Sequence, residues 1–92
     1  MLVLRFSAKM KKDVRRMEKR GKDMSLLREA LDLLVQDVTL PSKYRDHALS
    51  GRLTGQRECH LEPDWLLMYK IDHGELILTA MATGTHADLF GL

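Results

Sequence analysis

Residues 57–71, RECHLEPDWLLMYKI, decide the fold because they carry the clearest strand signals in the chain. Residues 57–62 alternate polar and apolar side chains, which predicts a half-buried β-strand, since successive side chains of a strand point to opposite faces. Pro63 and Asp64 predict a turn. Residues 65–71 are rich in aliphatic and aromatic side chains and predict a second strand. We therefore expect two antiparallel strands joined by a tight turn.

The strand pattern continues towards the C-terminus. Residues 72–74 (DHG) predict another turn, and residues 75–82 (ELILTAMA) predict a further strand of the same sheet. Gly84 closes that strand, and residues 85–90 are expected to form a short tail.

Upstream of this region the apolar residues recur with the period of helices. Residues 2–6 first form a short apolar run that predicts a strand, and Ser7 follows where a helix N-cap would lie. From residue 8 to 20 the apolar side chains have helical spacing and leave basic side chains on the other face. Asp23 is placed to cap a second helix, which ends before Pro41. These residues predict a helical hairpin.

The predicted order of elements is therefore β-α-α-β-β-β. It indicates an α+β fold in which the helical hairpin packs on a small, mostly antiparallel sheet. Residues 41–56 are polar and are expected to form a long loop, a kind of segment that is often functional. With 92 residues, the chain is expected to form a single domain, residues 1–92.

Composition disfavours several classes of protein. The chain is 45% hydrophobic and 30% charged, and no run approaches the roughly 18–20 apolar residues that span a bilayer. Its start, MLVLR, lacks the basic and apolar regions of a signal peptide. The single cysteine, Cys59, cannot form an internal disulfide. We expect a cytoplasmic protein with no membrane partner.

The net charge of +2 is distributed unevenly. The first 22 residues contain nine Lys or Arg and two acidic residues, whereas the remaining residues contain six basic and eleven acidic ones. Such a basic block attracts a polyanion or an acidic partner protein. The alternative interpretation is a solvated helix face with no partner.

Four histidines follow one another at intervals of thirteen residues: His47, His60, His73 and His86. Their flanking residues share no pattern, so we interpret the spacing as coincidence. His47 lies in the predicted loop, His60 on the polar face of a strand and His86 directly after the last strand. A loop, a strand face and a tail can meet at one edge of a small sheet, close to Asp64.

Two chemistries use such a group of side chains. Three histidines and an aspartate could bind zinc, although no HxH or HxxxH pair supports this. Alternatively, two of the groups could transfer protons without a metal, which suits RNA cleavage because the 2′-hydroxyl is a built-in nucleophile. Trp65 and Phe90 are candidates for stacking on RNA bases, with core packing as the alternative for Trp65.

Three segments together resemble the RelE/YafQ family of bacterial mRNA interferase toxins: residues 44–51 (YRDHALSG), 57–70 (RECHLEPDWLLMYK) and 83–91 (TGTHADLFG). The resemblance covers nearly the whole chain. It implies a RelE-like fold and a ribosome-dependent endoribonuclease that cuts mRNA in the A site without a metal or other cofactor. It also implies a DinJ-like antitoxin that neutralises the toxin, expected as a heterotetramer.

The resemblance also implies roles for particular residues. The acid–base positions of the family correspond to His47, His60, Asp64 and His86, and positions linked to substrate or site organisation correspond to Trp65 and Phe90. His73 is not expected to take part. Basic residues of the first helix would contact ribosomal RNA: Lys9, Lys11, Lys12, Arg15, Arg16 and Lys19.

The chain departs from the family at Ala82, because an arginine ordinarily precedes Thr-Gly-Thr-His. That arginine is expected to neutralise phosphorane charge, and loss of such a group lowers a rate by about 10²–10³-fold. One hypothesis is that Ala82 is an engineered inactivating substitution. The other is a natural, weakened enzyme in which Arg52 or Arg57 supplies the charge.

Two further functions remain open alternatives. A toxin of the RelE/ParE fold could act on a protein target such as a topoisomerase, in which case the histidines would matter little. A pure interaction module would have no nuclease activity even with the arginine restored. Clustered groups that titrate near neutral pH favour the nuclease.

Overall fold

The helices and strands of the computed structural model, which describes residues 1–91, follow in the order β1, α1, α2, β2, β3, β4, β5, α3. Their bounds are Val3–Phe6 (β1), Ala8–Lys19 (α1), Met24–Val35 (α2), His47–Ala48 (β2), Arg57–Glu62 (β3), Trp65–Asp72 (β4), Ile77–Gly84 (β5) and His86–Phe90 (α3). Short 3₁₀ turns cover Ser42–Tyr44 and Gly51–Leu53. Within the described residues, no helix is long and apolar enough to cross a membrane.

The two predicted N-caps confirm the helical hairpin. The Ser7 hydroxyl accepts a hydrogen bond from the Met10 N–H at 2.9 Å, and the Asp23 carboxylate accepts one from the Ser25 N–H at 3.0 Å. Each cap satisfies an amide that has no partner within its own helix. Both helices then bury their apolar stripes against one face of the sheet: Met10, Met17, Leu27, Ala30, Leu31 and Leu34.

The five strands form one sheet in the order β1-β5-β4-β3-β2. Strand β1 is parallel to β5, and the other neighbouring strands are antiparallel. The α+β fold with a helical hairpin on a mostly antiparallel sheet is confirmed.

Two predictions about irregular segments were wrong. The expected loop at residues 41–56 contains the short strand β2, which pairs with β3. The expected tail at residues 85–90 is helix α3, which begins with a capping box between Thr85 and Asp88. Two and five residues are too few to show a hydrophobic period, so pattern analysis does not detect such elements.

A β-bulge in β5 determines which side chains lie on the second face of the sheet. Tyr69 pairs with Ala80, but the next residue back on β4, Met68, pairs with Ala82, so Met81 is the extra residue. Ala80 belongs to the core cluster under the helices. Because the bulge reverses the alternation, Ala82 lies on the opposite face. Without the bulge, Ala82 would have faced the helices.

The face opposite α1 and α2 carries two rows of paired residues. In one row His47 pairs with Glu58, Glu58 with Met68 and Met68 with Ala82. In the adjacent row His60 pairs with Leu66 and Leu66 with Gly84, two residues before His86. The sheet thus gathers residues from four strands and from the start of α3.

Candidate active site

His86 and Asp64 form the best-defined contact of the site. Asp64 lies in the turn between β3 and β4, and His86 is the first residue of α3. One carboxylate oxygen, Asp64 Oδ1, accepts from the His86 backbone N–H at 2.9 Å and lies 2.5 Å from His86 Nδ1. A carboxylate only accepts, so Nδ1 is the donor and Nε2 of the neutral ring keeps a lone pair. The pKa of Asp64 is held below its usual value, mainly by the hydrogen bond from the His86 backbone N–H and then by the hydrogen bond from the His86 ring.

The three predicted histidines lie side by side. The ring centroids of His47 and His60 are 6.3 Å apart, and those of His60 and His86 are 6.0 Å apart. His60 is central, and its Nδ1 is buried without a hydrogen-bond partner among the described residues. The structure therefore brings together His47, His60, Asp64 and His86, as expected. His73 instead pairs with Asp37, 3.1 Å away in a different part of the surface.

Glu58 was missed by sequence analysis. Its side chain is buried, yet Oε1 lies 3.8 Å from His47 Nε2. The other ring nitrogen, Nδ1, is 2.9 Å from the backbone oxygen of Arg45 and donates to it, since a carbonyl only accepts. The sequence did contain a signal for Glu58, because the alternation of polar and apolar residues over 57–62 puts Glu58 and His60 on the same face of β3.

Arg57 lies on the other side of β3 from the histidines. Its Nη2 and Nε donate to Asp46 Oδ2 at 3.1 and 3.3 Å, and the Tyr69 hydroxyl donates to Oδ1 of the same carboxylate. The pKa of Arg57 is raised by the Asp46 carboxylate. Arg57 therefore anchors the segment that leads to His47. Arg52 is exposed in the second 3₁₀ turn and forms no ion pair with any residue that the structure describes.

The two aromatic candidates differ in accessibility. Trp65 is completely buried, and its Nε1 donates to the Thr83 hydroxyl at 2.8 Å. A buried ring cannot stack on a base, so Trp65 organises the strands beneath the site. Phe90 ends α3 with 39% of its surface exposed and is accessible for stacking.

Helix α1 uses part of its basic charge within the molecule. Lys9 and Arg16 form ion pairs with Asp13 at 2.9 and 3.1 Å, and Asp13 is only 2% exposed. Four of the six predicted RNA-binding cations are exposed and form no ion pair within residues 1–91: Lys11, Lys12, Arg15 and Lys19. The Arg16 side chain is used inside the fold, where it forms an ion pair with the buried Asp13.

Helix α3 is anchored to α1 through Asp88. The Arg20 side chain donates to both oxygens of Asp88, at 2.6 and 2.9 Å, and Asp88 also accepts from the Thr85 N–H at 2.9 Å. The hydrogen bond from Arg20 is the main reason why the pKa of Asp88 lies far below its usual value.

This depressed pKa predicts a loss of stability in acid. A carboxylate of this kind stabilises the fold above its unfolded pKa of about 3.9, and the contribution disappears as the pH falls towards the folded pKa. We expect Asp88→Asn to lower the Tm by a few degrees at pH 7, and the difference between the two proteins to shrink steadily as the pH falls below about 4. Thermal unfolding by circular dichroism at each pH checks this, and parallel curves would contradict it.

The histidines of the site were also compared with the predicted zinc alternative. No group of three or more His, Cys, Asp or Glu in the described part of the chain is placed to hold an ion. Nδ1 of His86 is engaged by Asp64, and Nδ1 of His47 is engaged by a backbone carbonyl.

The fold and the site define a class of protein: small α+β domains with a histidine–carboxylate cluster on the sheet face opposite a helical hairpin whose first helix is basic. Residues 2–91 match the family described as the bacterial toxin of type II toxin–antitoxin system, YafQ, and the chain belongs to this family.

Individual relatives agree with this assignment. The mRNA interferase toxin YafQ of Escherichia coli K12 is 43% identical over 89 residues, which are 96% of this chain and 95% of that protein. The E. coli DinJ–YafQ complex matches with a TM-score of 0.91 and 40% identity over 99% of this chain and 100% of that one. A metal-bound toxin from Helicobacter pylori matches with a TM-score of 0.92 and 41% identity over 98% and 100%.

Proposed function

We propose that this chain is a ribosome-dependent endoribonuclease that cleaves mRNA in the ribosomal A site without a catalytic metal. The observation that carries the proposal is the row of three histidines, with neighbouring rings 6.0 and 6.3 Å apart, beside the Asp64 carboxylate. Membership of the YafQ family and the name of the E. coli relative, an mRNA interferase, support mRNA as the substrate.

In the proposed reaction one group takes the proton of the 2′-hydroxyl while another protonates the leaving oxygen. The 2′-oxygen attacks phosphorus, the bond from phosphorus to the 5′-oxygen breaks, and a 2′,3′-cyclic phosphate and a 5′-hydroxyl result. His86 suits one transfer because Asp64 holds Nδ1 and leaves Nε2 free. His60 is the counterpart, since its ring is next to that of His86.

His47 and Glu58 have a supporting role in this proposal. Glu58 Oε1 lies 3.8 Å from His47 Nε2 and helps to orient the ring, which would contact the phosphate. Phe90 supplies the accessible aromatic surface for a base. Trp65 acts from beneath the sheet through its bond to Thr83.

Ala82 makes the proposed enzyme weak. Ala82 lies in the row that contains Glu58 and His47, but its methyl group cannot neutralise phosphorane charge. Arg57 does not compensate, because it is bound to Asp46 on the other side of β3. Arg52 is exposed and remains the candidate among the two arginines considered from sequence.

We further propose a cognate antitoxin similar to DinJ as the partner, in a heterotetramer, and the cytoplasm as the location. The solved E. coli DinJ–YafQ complexes support a partner of this kind. The exposed cations of α1 are proposed to contact ribosomal RNA: Lys11, Lys12, Arg15 and Lys19.

The test of the proposed activity is primer-extension mapping of mRNA on purified ribosomes. We expect cuts only when the mRNA is bound to ribosomes, and the same cuts with a chelator that removes transition metals but leaves Mg²⁺. Cuts in free mRNA would contradict ribosome dependence, and the absence of cuts with the chelator would contradict metal independence. When the chain is expressed in cells, DNA damage without mRNA cleavage would favour a topoisomerase target. Binding to a partner protein with neither DNA damage nor mRNA cleavage would favour an interaction module.

Ribosome binding through α1 predicts a strong salt dependence. The test variant replaces three exposed cations of α1 by glutamine: Lys11, Arg15 and Lys19. We expect weaker ribosome binding, and a log–log salt slope that falls by roughly 0.7–0.9 for each phosphate that the variant no longer neutralises. Sedimentation with ribosomes at several salt concentrations measures both quantities.

The matched control removes the same charge elsewhere. It replaces three exposed cations of other elements by glutamine: Arg5, Arg28 and Lys70. We expect this control to keep the salt slope of the unmodified protein. An equal weakening in both triple variants would mean that only net charge matters and that α1 is a solvated helix face.

A further inference from the structure

We propose that Arg20 and Asp88 are positioning residues: their ion pair ties α1 to α3 and thereby holds His86 against Asp64 and beside His60. We call this ion pair between Arg20 and Asp88 the clamp. Its effect on catalysis rests on the proposed nuclease function. The positional consequence does not, because it concerns only where His86 lies.

The contact between Arg20 and Asp88 is bidentate. Nη1 donates to Oδ2 at 2.6 Å and Nη2 donates to Oδ1 at 2.9 Å, between residues 68 positions apart in the chain. Two parallel hydrogen bonds fix the orientation of both groups, which a single contact does not. The pair therefore defines the angle of α3 relative to the end of α1.

The Asp88 carboxylate also completes the capping box of the helix that carries His86, in which Thr85 is the N-cap. Its Oδ2 accepts from the Thr85 N–H at 2.9 Å, while the Thr85 hydroxyl accepts from the Asp88 N–H at 3.1 Å. His86 lies between these two residues in the sequence. Any movement of Asp88 therefore reaches the first turn of α3 directly.

A second set of contacts from α1 holds the chain just before this corner. Asp13 Oδ2 accepts from the Thr83 N–H at 3.1 Å, and Arg16 Nη2 donates to the Thr83 carbonyl at 3.2 Å. Gly84 follows, and a Cβ there would lie 2.8 Å from Asp88 Cβ and 3.1 Å from Arg16 Nη2. Helix α1 and the Asp88 carboxylate thus pack against the backbone with no room for a side chain.

Polar contacts have to position α3 because it has little else to hold it. The helix contains five residues, none of them buried. Without a buried apolar anchor, its orientation depends on the contacts of Asp88 with Arg20 and Arg16, on its cap and on the contact between His86 and Asp64. The pKa of Asp64 is lowered chiefly by the His86 backbone N–H, so it reports whether that contact is in place.

The experiment compares Arg20→Gln, which removes the clamp but leaves the cap, with Arg28→Gln, which removes an exposed arginine from α2. In the Ala82→Arg background, we expect Arg20→Gln to lower kcat by about tenfold with KM changed less than about twofold, because misplacement of a catalytic group slows the chemical step. Arg20→Lys should restore part of kcat, and Arg28→Gln should leave both constants unchanged. A rise in KM alone would overturn the proposal, because Arg20 would then be a ribosome contact.

A second measurement does not depend on cleavage. NMR titration of the Asp64 carboxyl should give a higher pKa in Arg20→Gln than in the unmodified protein, and the His86 amide should exchange with solvent faster. An unchanged Asp64 titration and unchanged exchange would overturn the clamp, whatever the activity. If the titration moves but even the Ala82→Arg protein cuts no mRNA, the clamp stands and the proposed nuclease function fails.

Discussion

Replacing Ala82 by arginine is expected to raise the rate of mRNA cleavage on ribosomes by about 10²–10³-fold. The bulge at Met81 puts position 82 on the face of the histidines, in the row that includes Glu58 and His47. A guanidinium there can contact the phosphate oxygens on which charge develops, and its planar donors suit such oxygens. Single-turnover primer extension on purified ribosomes measures the rate.

The control for charge at this position is Ala82→Gln, which has a long polar side chain without a cation. Ala82 is only 4% exposed, so both substitutions require a similar local adjustment. We expect Ala82→Gln to remain as slow as the unmodified protein. No gain with Ala82→Arg would show that charge at position 82 does not limit the enzyme, and Arg52→Gln would then show whether Arg52 supplies it.

Replacing His86 by alanine is expected to lower cleavage by about 10²–10⁴-fold, the range for loss of a general acid or base. The decrease is measured in the Ala82→Arg background, because the higher starting rate makes a large decrease measurable. His60→Ala should lower the rate within the same range. Asp64→Asn should also slow cleavage, because an amide can donate to His86 Nδ1 and move the ring proton to Nε2.

The matched control is His73→Ala. His73 is exposed in the turn between β4 and β5 and pairs with Asp37, so its removal takes a histidine away without touching the site. We expect unchanged cleavage in this variant. If His86→Ala and His60→Ala also kept full activity, proton transfer by the cluster would be excluded.

Local signals account for the parts of the fold that sequence analysis predicted. Ser7 and Asp23 cap the helices as expected, and the strand at residues 57–62 has the predicted bounds. These features depend on residues close together in the chain. Helix α3 was missed because its cap, Thr85 with Asp88, precedes only five helical residues.

The residues of the candidate site could be predicted in part. His47, His60, Asp64 and His86 were identified from residue types and from the family resemblance, and the structure brings them together. Arg57 was a candidate to supply charge to the site, but it is bound to Asp46; Trp65 was a candidate for base stacking with core packing as the alternative, and it is buried. Arginine and tryptophan are both residue types that bind RNA, and only the contacts of Arg57 and Trp65 in the folded chain show that these two side chains are engaged elsewhere.

By itself the sequence determined the two helices, most of the strands, the family and the candidate groups for proton transfer, because caps, periodicity and motifs are local. The tertiary structure alone decided which face Ala82 occupies and which cations of α1 remain free among the described residues. It also decided that α1 holds the helix of His86 through Arg20 and Asp88. A bulge and an ion pair across 68 residues depend on strand register and packing, which no short segment encodes.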